Sequence, residues 1–192
     1  MATARILLLL LCTAPAFGNW LPQRHLLSRA LLYQENGRAS VRNAIPAKPA
    51  AALRVVALAE AALLVRESQG RNDGPQVEVY LHYVGLKKGH AWCAAFVSWL
   101  HGQAGFAQPR SGWSPALFPA AKQIQLARPA AVLGIYIPAL KRIAHVGLVT
   151  GTRADWVQSV EGNTNPAGSR EGDGVYRRLR HRRSINRYAY FL

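Results

Sequence analysis

Residues 91–105 read AWCAAFVSWLHGQAG and carry the apolar pattern from which the fold class can be argued. Apolar side chains recur there at i, i+3, i+4 and i+7, the spacing of one face of an α-helix, at Cys93, Phe96, Val97 and Leu100. A loop at residues 89–91 precedes the pattern, and Gly102 and Gly105 break it. We therefore expect a helix that begins at Cys93 and packs through its apolar face.

Two further helices are predicted upstream of this stretch. The first begins near Ala51, ends at about Gly70, and has an apolar face composed of Leu53, Val56, Ala57 and Leu64. The second begins at Pro75, a residue suited to a first helical turn, and its face is composed of Val77, Tyr80, Leu81 and Val84.

The sequence changes character after Pro129. Short segments rich in β-branched and aromatic residues are separated there by turn formers, at residues 131–137, 143–150, 156–160, 175–179 and 186–191. Helices followed by a run of strands predict an α+β fold, with the Cys93 helix packed on an antiparallel sheet.

The N-terminus has the pattern of an export signal. Arg5 supplies a positive charge, an apolar run covers residues 6–12, and small residues follow at Ala14, Ala16 and Gly18. We expect residues 1–18 to be a signal peptide, residues 19–50 an N-terminal extension or linker, and residues 51–192 one domain. The apolar run is too short to span a bilayer, so we expect no transmembrane helix in a mature, secreted or periplasmic protein.

The chain is strongly basic, with 24 Lys and Arg against 9 Asp and Glu and a formal net charge of +15. Such a field attracts polyanions, and export favours an anionic cell-wall polymer over nucleic acid as the partner. Much of the charge lies near the C-terminus, at Arg177, Arg178, Arg180, His181, Arg182, Arg183 and Arg187. A solvated face without a dedicated ligand is the alternative for this cluster.

Cys93 would be the only cysteine left after removal of the signal, because the other is Cys12. A lone thiol in an exported protein forms no internal disulfide. A helix N-terminus favours the thiolate, and the N–H groups of its first turn can hold an oxyanion, so Cys93 is a candidate nucleophile. A small buried hydrophobic residue is the alternative.

His145 is the candidate base for this thiol. It lies inside the apolar segment 143–149, where alternation places it on one strand face with Gly147 and Val149. The alternative is a core histidine that is hydrogen-bonded without catalytic use. His90, on a loop, is the weaker candidate base, and we expect the others to be surface residues: His25, His82, His101 and His181.

Two residues at the end of the next strand could orient the imidazole, Glu161 and Asn163. They are two positions apart, so both would face His145 if the strands beginning at 143 and 156 form a hairpin. Glu161 could instead be a solvated strand end, and Asn163 a turn residue. Spacing alone does not separate the two.

These segments together resemble a known family. Residues 92–99 (WCAAFVSW), 144–147 (AHVG) and 161–163 (EGN) look like the successive signatures of the CHAP domain, the cysteine, histidine-dependent amidohydrolase/peptidase family. The resemblance covers about residues 51–192. It implies a papain-like α+β fold with Cys93 as nucleophile, His145 as base, Glu161 as the orienting acid and Asn163 as a further polar member of the site.

The chain departs from that family at two places. Residues 129–131 read Pro-Ala-Ala where relatives often have Pro-Gly-Asp, which affects a local turn. Trp92 precedes the cysteine where some relatives have glutamine, and only Asn72 and Asp73 stand where some relatives have calcium ligands. We therefore expect neither a metal nor a cofactor.

Trp92 and Trp113 are the candidate substrate-binding residues, Trp113 being favoured because of its place in the segment 111–115 (SGWSP). Core packing is the alternative for both. From the resemblance, the expected function is hydrolysis of an amide bond in peptidoglycan, by an amidase or an endopeptidase. The alternatives are a polyanion- or wall-binding protein without catalysis, and a thiol protease or transferase that acts on another substrate.

Overall fold

The structure is a computed structural model that describes residues 47–192. The described residues form three α-helices followed in the chain by a six-stranded antiparallel sheet, which is the α+β class expected from the sequence. The predicted signal peptide, residues 1–18, and residues 19–46 of the predicted extension lie outside the described residues.

Helix α1 spans Ala47–Ala61 and begins earlier than predicted. Residues 47–50 of the predicted linker are helical, so the structured region starts before Ala51. Pro49 is one of these helical residues, so this part of the predicted linker belongs to α1.

The predicted apolar face of α1 is confirmed only at Val56, which packs partly buried against the core, and the predicted end of the helix is wrong. Leu53 is largely exposed, and Leu64 lies beyond the helix with 89% of its surface exposed. The chain turns after Ala61 towards an isolated bridge between Arg66 and Gly174, far short of Gly70. Small side chains that let α1 pack on the third helix form the buried face instead: Ala52, Val55, Ala59 and Ala62.

The other two helices are confirmed. Helix α2 spans Pro75–Tyr83 and buries Val77, Tyr80 and Leu81, as predicted. Helix α3 spans Cys93–Gln103 and therefore begins at the predicted residue. Helix α3 packs against α1, α2 and the sheet, which explains why almost its whole circumference is buried.

The sheet consists of β1 (Gln123–Ile124), β2 (Val132–Ile137), β3 (Arg142–Arg153), β4 (Trp156–Thr164), β5 (Gly174–His181) and β6 (Arg187–Ala189). Their spatial order is β1-β6-β2-β3-β4-β5, and every neighbouring pair is antiparallel. Strand β1 was not predicted, because two residues are too few to show an alternating pattern. Strand β4 continues beyond residue 160 and includes the candidate orienting residues.

Strands β3 and β4 form a hairpin, the condition under which residues 161 and 163 could approach His145, and in it Leu148 pairs with Val160 and Arg153 with Trp156. Helix α3 packs on both strands. Gly162 makes this approach close, because a Cβ at that position would lie 2.6 Å from the Trp92 ring. The N-terminus of α3 is thereby held against the strands that carry His145 and Glu161.

The turn before β2 forms with alanine in place of glycine. Ala130 adopts a φ of 65°, in the left-handed region that ordinarily favours glycine. Its N–H donates to the Val149 carbonyl at 2.8 Å, and the Val149 N–H donates to the Ala131 carbonyl at 2.8 Å. The departure at residues 129–131 therefore leaves the pairing of β2 with β3 intact.

Within residues 47–192, every helix is too short or too polar to traverse a lipid bilayer.

Candidate active site

Cys93 lies at the first position of α3 and is buried apart from its exposure to a cavity. Burial alone would raise the pKa of its thiol, but hydrogen bonding and charge from His145 outweigh that effect. Ser114, whose Oγ lies 3.6 Å from Sγ, and the backbone of Val146 act in the same direction. The pKa of Cys93 is consequently below its ordinary value, so the thiolate is favoured.

His145 lies on β3 and is fully buried. Its Nε2 is 2.8 Å from Oε2 of Glu161. Burial disfavours the imidazolium, yet interactions with Cys93 and Glu161 raise the pKa of His145 to about 9. The other ring nitrogen, Nδ1, has no partner of regular hydrogen-bond geometry among residues 47–192, and the thiol lies near enough for the two groups to shift each other's pKa. Such a contact commonly tightens only when substrate binds.

Glu161 is a buried carboxylate whose two oxygens are both hydrogen-bonded. Ser159 donates to Oε1 at 2.7 Å, and Arg180 donates to Oε1 at 2.9 Å and to Oε2 at 2.5 Å. Burial would raise the pKa of Glu161, but Arg180 and then His145 lower it to about 2. Glu161 is thus ionised at neutral pH and can stabilise a protonated His145.

Gly147 provides the space through which Glu161 reaches the imidazole. A Cβ at position 147 would lie 2.4 Å from Cγ of Glu161, too close for any side chain. The predicted alternation of His145 and Gly147 on β3 therefore has a steric purpose, since glycine here admits the neighbouring strand's carboxylate.

Within residues 47–192, Asn163 makes no hydrogen bond to His145. Its Nδ2 donates to Oδ1 of Asn72 at 2.8 Å, and its own Oδ1 is buried without a hydrogen-bond partner in the described chain. A bulge in the pairing of β4 with β5 between Glu161 and Thr164, together with a φ of 54° at Asn163, breaks the alternation that would have aligned the two side chains. Of the two candidates, Glu161 is the one hydrogen-bonded to the imidazole.

The two candidate tryptophans lie in different environments. Trp92 is fully buried, donates from Nε1 to Glu67 at 2.8 Å, and packs on Tyr80 and Phe96. Trp92 therefore has the core-packing environment that was its alternative, because α3 and Gly162 enclose its ring. Trp113 is 54% exposed and lines the cavity that Cys93 faces.

That cavity has a volume of about 490 Å³. Its lining includes Cys93, the loop at 110–114, the start of β3 and Arg170. Among the described residues, two cavities are larger, at about 790 and 730 Å³, but neither is lined by Cys93 or His145. The chemistry of the site therefore identifies the smaller cavity as the candidate substrate cleft.

Two of the other predicted assignments change with the structure. His101, expected at the surface, is fully buried, with Nδ1 2.9 Å from the Val97 carbonyl. Phe106 and Phe191 pack on its ring. His82 is exposed, as expected, and His90 is exposed as well. His181, expected at the surface, is partly buried, and His25 lies outside the described residues.

The C-terminal arginines do not form one free surface. Arg177 pairs with Glu60 and Arg182 with Asp155, while Arg178 donates to the Pro166 carbonyl. Arg180 belongs to the site through Glu161. The sequence did not identify this role, because nothing local distinguishes Arg180 from its basic neighbours. Ser114 and Ser159 were missed for the same reason.

Within residues 47–192 no group of three or more His, Cys, Asp and Glu side chains has the arrangement needed to hold a metal ion.

Comparison with known proteins shows similarity to solved structures alone. No protein-family model matches the chain, and no curated protein matches it significantly. The chain is similar to Ly7917 in its crystal structure, with 14% sequence identity and a TM-score of 0.44. The similarity covers 72% of this chain and 61% of that chain.

Proposed function

We propose that the protein is an exported cysteine hydrolase of the CHAP type that cleaves an amide bond in peptidoglycan. The observation that carries the proposal is the buried series Cys93, His145 and Glu161, in which the thiol pKa is lowered and the imidazole pKa is raised to about 9. A merely structural cysteine needs neither shift. The helix that packs on an antiparallel sheet supports a papain-like arrangement.

The proposed reaction is acyl transfer in two steps. The Cys93 thiolate attacks the amide carbonyl carbon, and the new C–S bond produces an oxyanion that the free N–H groups at the start of α3 can stabilise. The His145 imidazolium then donates its proton to the amine as the C–N bond breaks. Water attacks the thioester as the neutral His145 accepts one of its protons, and the C–S bond then breaks, which releases the carboxylic acid and restores the Cys93 thiolate beside the His145 imidazolium.

Glu161 and its partners keep the base in position through both steps. The carboxylate fixes His145 through Nε2, which leaves Nδ1 for the thiol and the leaving group. Because Arg180 and Ser159 satisfy the same carboxylate, Glu161 has little freedom to rotate away. The predicted signal peptide and the positive charge support an anionic wall polymer outside the cytoplasm as the substrate.

The alternative of a polyanion-binding protein without catalysis has less support. It relies on the C-terminal arginines, of which Arg177 and Arg182 pair with acids and Arg180 is turned towards Glu161. A binding protein without catalysis also gives no functional reason for the lowered pKa of Cys93 and the raised pKa of His145. A thiol protease or transferase would use the same site, and the products distinguish it from a wall hydrolase.

The proposal is tested by incubating the purified protein with isolated sacculi and analysing the released fragments by mass spectrometry. Wild type should release muropeptides or stem peptides, and Cys93→Ala and His145→Ala should release none. His82→Ala, which alters an exposed histidine, is the matched control and should retain activity. Circular dichroism and melting temperature should change little in Cys93→Ala. Fragment release by Cys93→Ala at the wild-type rate would refute the proposed mechanism.

A further inference from the structure

The cavity next to Cys93 has a positively charged wall. Arg110, Arg142 and Arg170 come from three separate chain segments and all line it, as does His90. Among the described residues that line this cavity, none is acidic. The wall is therefore electropositive on the side where a substrate would lie beside the nucleophile.

Arg142 is held with its guanidinium available. The group lies over the Trp113 ring, 4.1 Å from the ring centroid, and Nη1 donates to the Ile143 carbonyl at 3.2 Å. Within residues 47–192, Arg142 has no acidic partner within ion-pair distance. A guanidinium carries five N–H donors, so most of those of Arg142 remain free to bind an anion.

Arg110 is held in a similar way, on the loop that also carries Trp113. Its Nε donates to the Tyr83 carbonyl at 3.2 Å, and its guanidinium lies 4.8 Å from the centroid of the Tyr83 ring. It too lacks an ion pair with any acid of the described residues. Arg170 differs, because Glu171 pairs with it at 2.5 Å and offsets its charge. The uncompensated charge of the wall thus comes from Arg110 and Arg142.

We propose that Arg142 and Arg110 bind a carboxylate of the substrate beside the amide bond that Cys93 attacks, so that the enzyme selects acidic peptides. The inference rests on the proposed function, since an amide substrate brings carboxylates as its natural anionic groups. Planar guanidinium groups match a carboxylate in a two-bond geometry, and an aromatic ring behind each group limits its loss of freedom on binding. A neutral peptide would leave the two charges unpaired in the cleft.

The test compares an anionic and a neutral alkylating reagent at the same thiol. Iodoacetate and iodoacetamide are reacted with the full chain, and modification of the peptide containing Cys93 is followed by mass spectrometry. Arg142→Gln and Arg110→Gln should each lower the ratio of the iodoacetate rate to the iodoacetamide rate by about three- to tenfold, because one nearby positive charge is removed. The ratio should also fall as salt rises.

Arg183→Gln is the charge-matched control, because Arg183 is exposed, lies outside this cavity and changes the net charge equally. Its ratio should equal that of wild type. A similar iodoacetamide rate in all variants shows that the fold and the thiol are intact. Equal ratios in Arg142→Gln, Arg110→Gln, Arg183→Gln and wild type would overturn the inference.

A protection experiment identifies the anionic group. An acetylated and amidated alanine–glutamate dipeptide at millimolar concentration should slow alkylation of Cys93 by iodoacetamide, whereas its alanine–glutamine analogue should not, and Arg142→Gln should abolish the difference. Protection by inorganic phosphate but not by the glutamate dipeptide would refute the assignment to a carboxylate.

The two proposals fail in different ways. If iodoacetamide modifies Cys93 in the native protein at pH 7 no faster than in the urea-unfolded chain, the thiol is not activated, and the proposed function fails together with this inference. If iodoacetamide reacts rapidly but neither iodoacetate nor the glutamate dipeptide is favoured, only the inference about the anionic substrate is wrong.

Discussion

Arg180 on β5 donates two hydrogen bonds to the buried carboxylate of Glu161 on β4, from Nε to Oε1 at 2.9 Å and from Nη2 to Oε2 at 2.5 Å. The same carboxylate contacts Nε2 of His145 on β3. Three adjacent strands therefore place an arginine, a carboxylate and an imidazole in series, and the pKa of Glu161 is lowered to about 2 as a result. The series ends at the thiol at the start of α3.

Replacing Arg180 should reduce stability and turnover together. Arg180→Gln leaves the buried Glu161 carboxylate with fewer donors, so the free energy of unfolding should fall by about 2–4 kcal/mol. Urea denaturation measures the loss. Arg177→Gln is the control, since it removes an arginine from an exposed pair with Glu60 and should lower the free energy by about 1 kcal/mol or less. Equal losses in the two variants would contradict a structural role for Arg180.

Glu161→Gln should reduce turnover more than Asn163→Ala does. Glu161 is hydrogen-bonded to His145, whereas the Asn163 amide is hydrogen-bonded to Asn72. Only Glu161→Gln therefore removes a negative charge next to the imidazolium. We expect a decrease of about 10²- to 10⁴-fold for Glu161→Gln. The pKa of His145 should fall as well, and the pH above which the thiolate–imidazolium pair loses its proton should fall with it.

Alkylation rates of Cys93 measured against pH in both variants check this expectation. If Glu161→Gln leaves turnover and the alkylation profile unchanged while Asn163→Ala removes activity, the orienting role belongs to Asn163.

Stability should decline in acid because of Glu161. Its folded pKa of about 2 lies below the ordinary 4.5, so between these values the unfolded chain binds more protons than the folded chain. The contribution is complete above about pH 4.5 and disappears as pH falls towards 2. Free energies of unfolding from pH 6 to pH 2 should show a smaller decline in Glu161→Gln than in wild type. Identical slopes would show that the carboxylate is not held ionised by folding.

Ser114→Ala should weaken activation of the thiol. Ser114 Oγ lies 3.6 Å from Cys93 Sγ and helps to lower the thiol pKa, so its removal should raise that pKa. The iodoacetamide rate at pH 7 should fall by about two- to tenfold. Ser184→Ala, whose hydroxyl donates to the His181 carbonyl at an exposed site, should leave the rate unchanged. An unaltered rate in Ser114→Ala would remove Ser114 from the site.

The two tryptophans should separate stability from substrate binding. Trp92→Ala removes a fully buried ring and should lower the free energy of unfolding by about 3–5 kcal/mol. Trp113→Ala removes a half-exposed ring that supports Arg142, so it should lower the free energy by about 1 kcal/mol or less and raise KM. Urea denaturation and steady-state kinetics provide both readouts. An unchanged KM in Trp113→Ala would show that this wall does not contact substrate.

The start of α3 at Cys93, helix α2 and the succession from helices to strands were predictable from the amino-acid sequence. These features depend on periods of 3.6 and 2 residues and on nearby glycines and prolines, all of which are local properties of the chain. The pairing of β3 with β4 was predictable for the same reason, because only a short turn separates the two strands.

Helix α1 shows where local patterns fail. Its large apolar residues Leu53 and Leu64 are exposed, while small residues form the packed face. The close approach of α1 to α3 selects small side chains, and that approach depends on where α3 lies on the sheet. The local sequence of α1 therefore does not show which of its faces is buried.

The site has the same division. The order of Cys93, His145 and Glu161 along the chain suggested a nucleophile, a base and an orienting group. Spacing did not separate Glu161 from Asn163, and the family resemblance favoured Glu161; the bulge in β4 gives the physical reason why the two side chains diverge. The role of Arg180 depends on the pairing of β5 beside β4. The sequence alone determined that the chain carries a thiol, an imidazole and a carboxylate in segments that could form a catalytic site. The tertiary structure decided which of them meet, because hydrogen bonds and charge effects depend on distances of a few ångströms between segments remote in the chain.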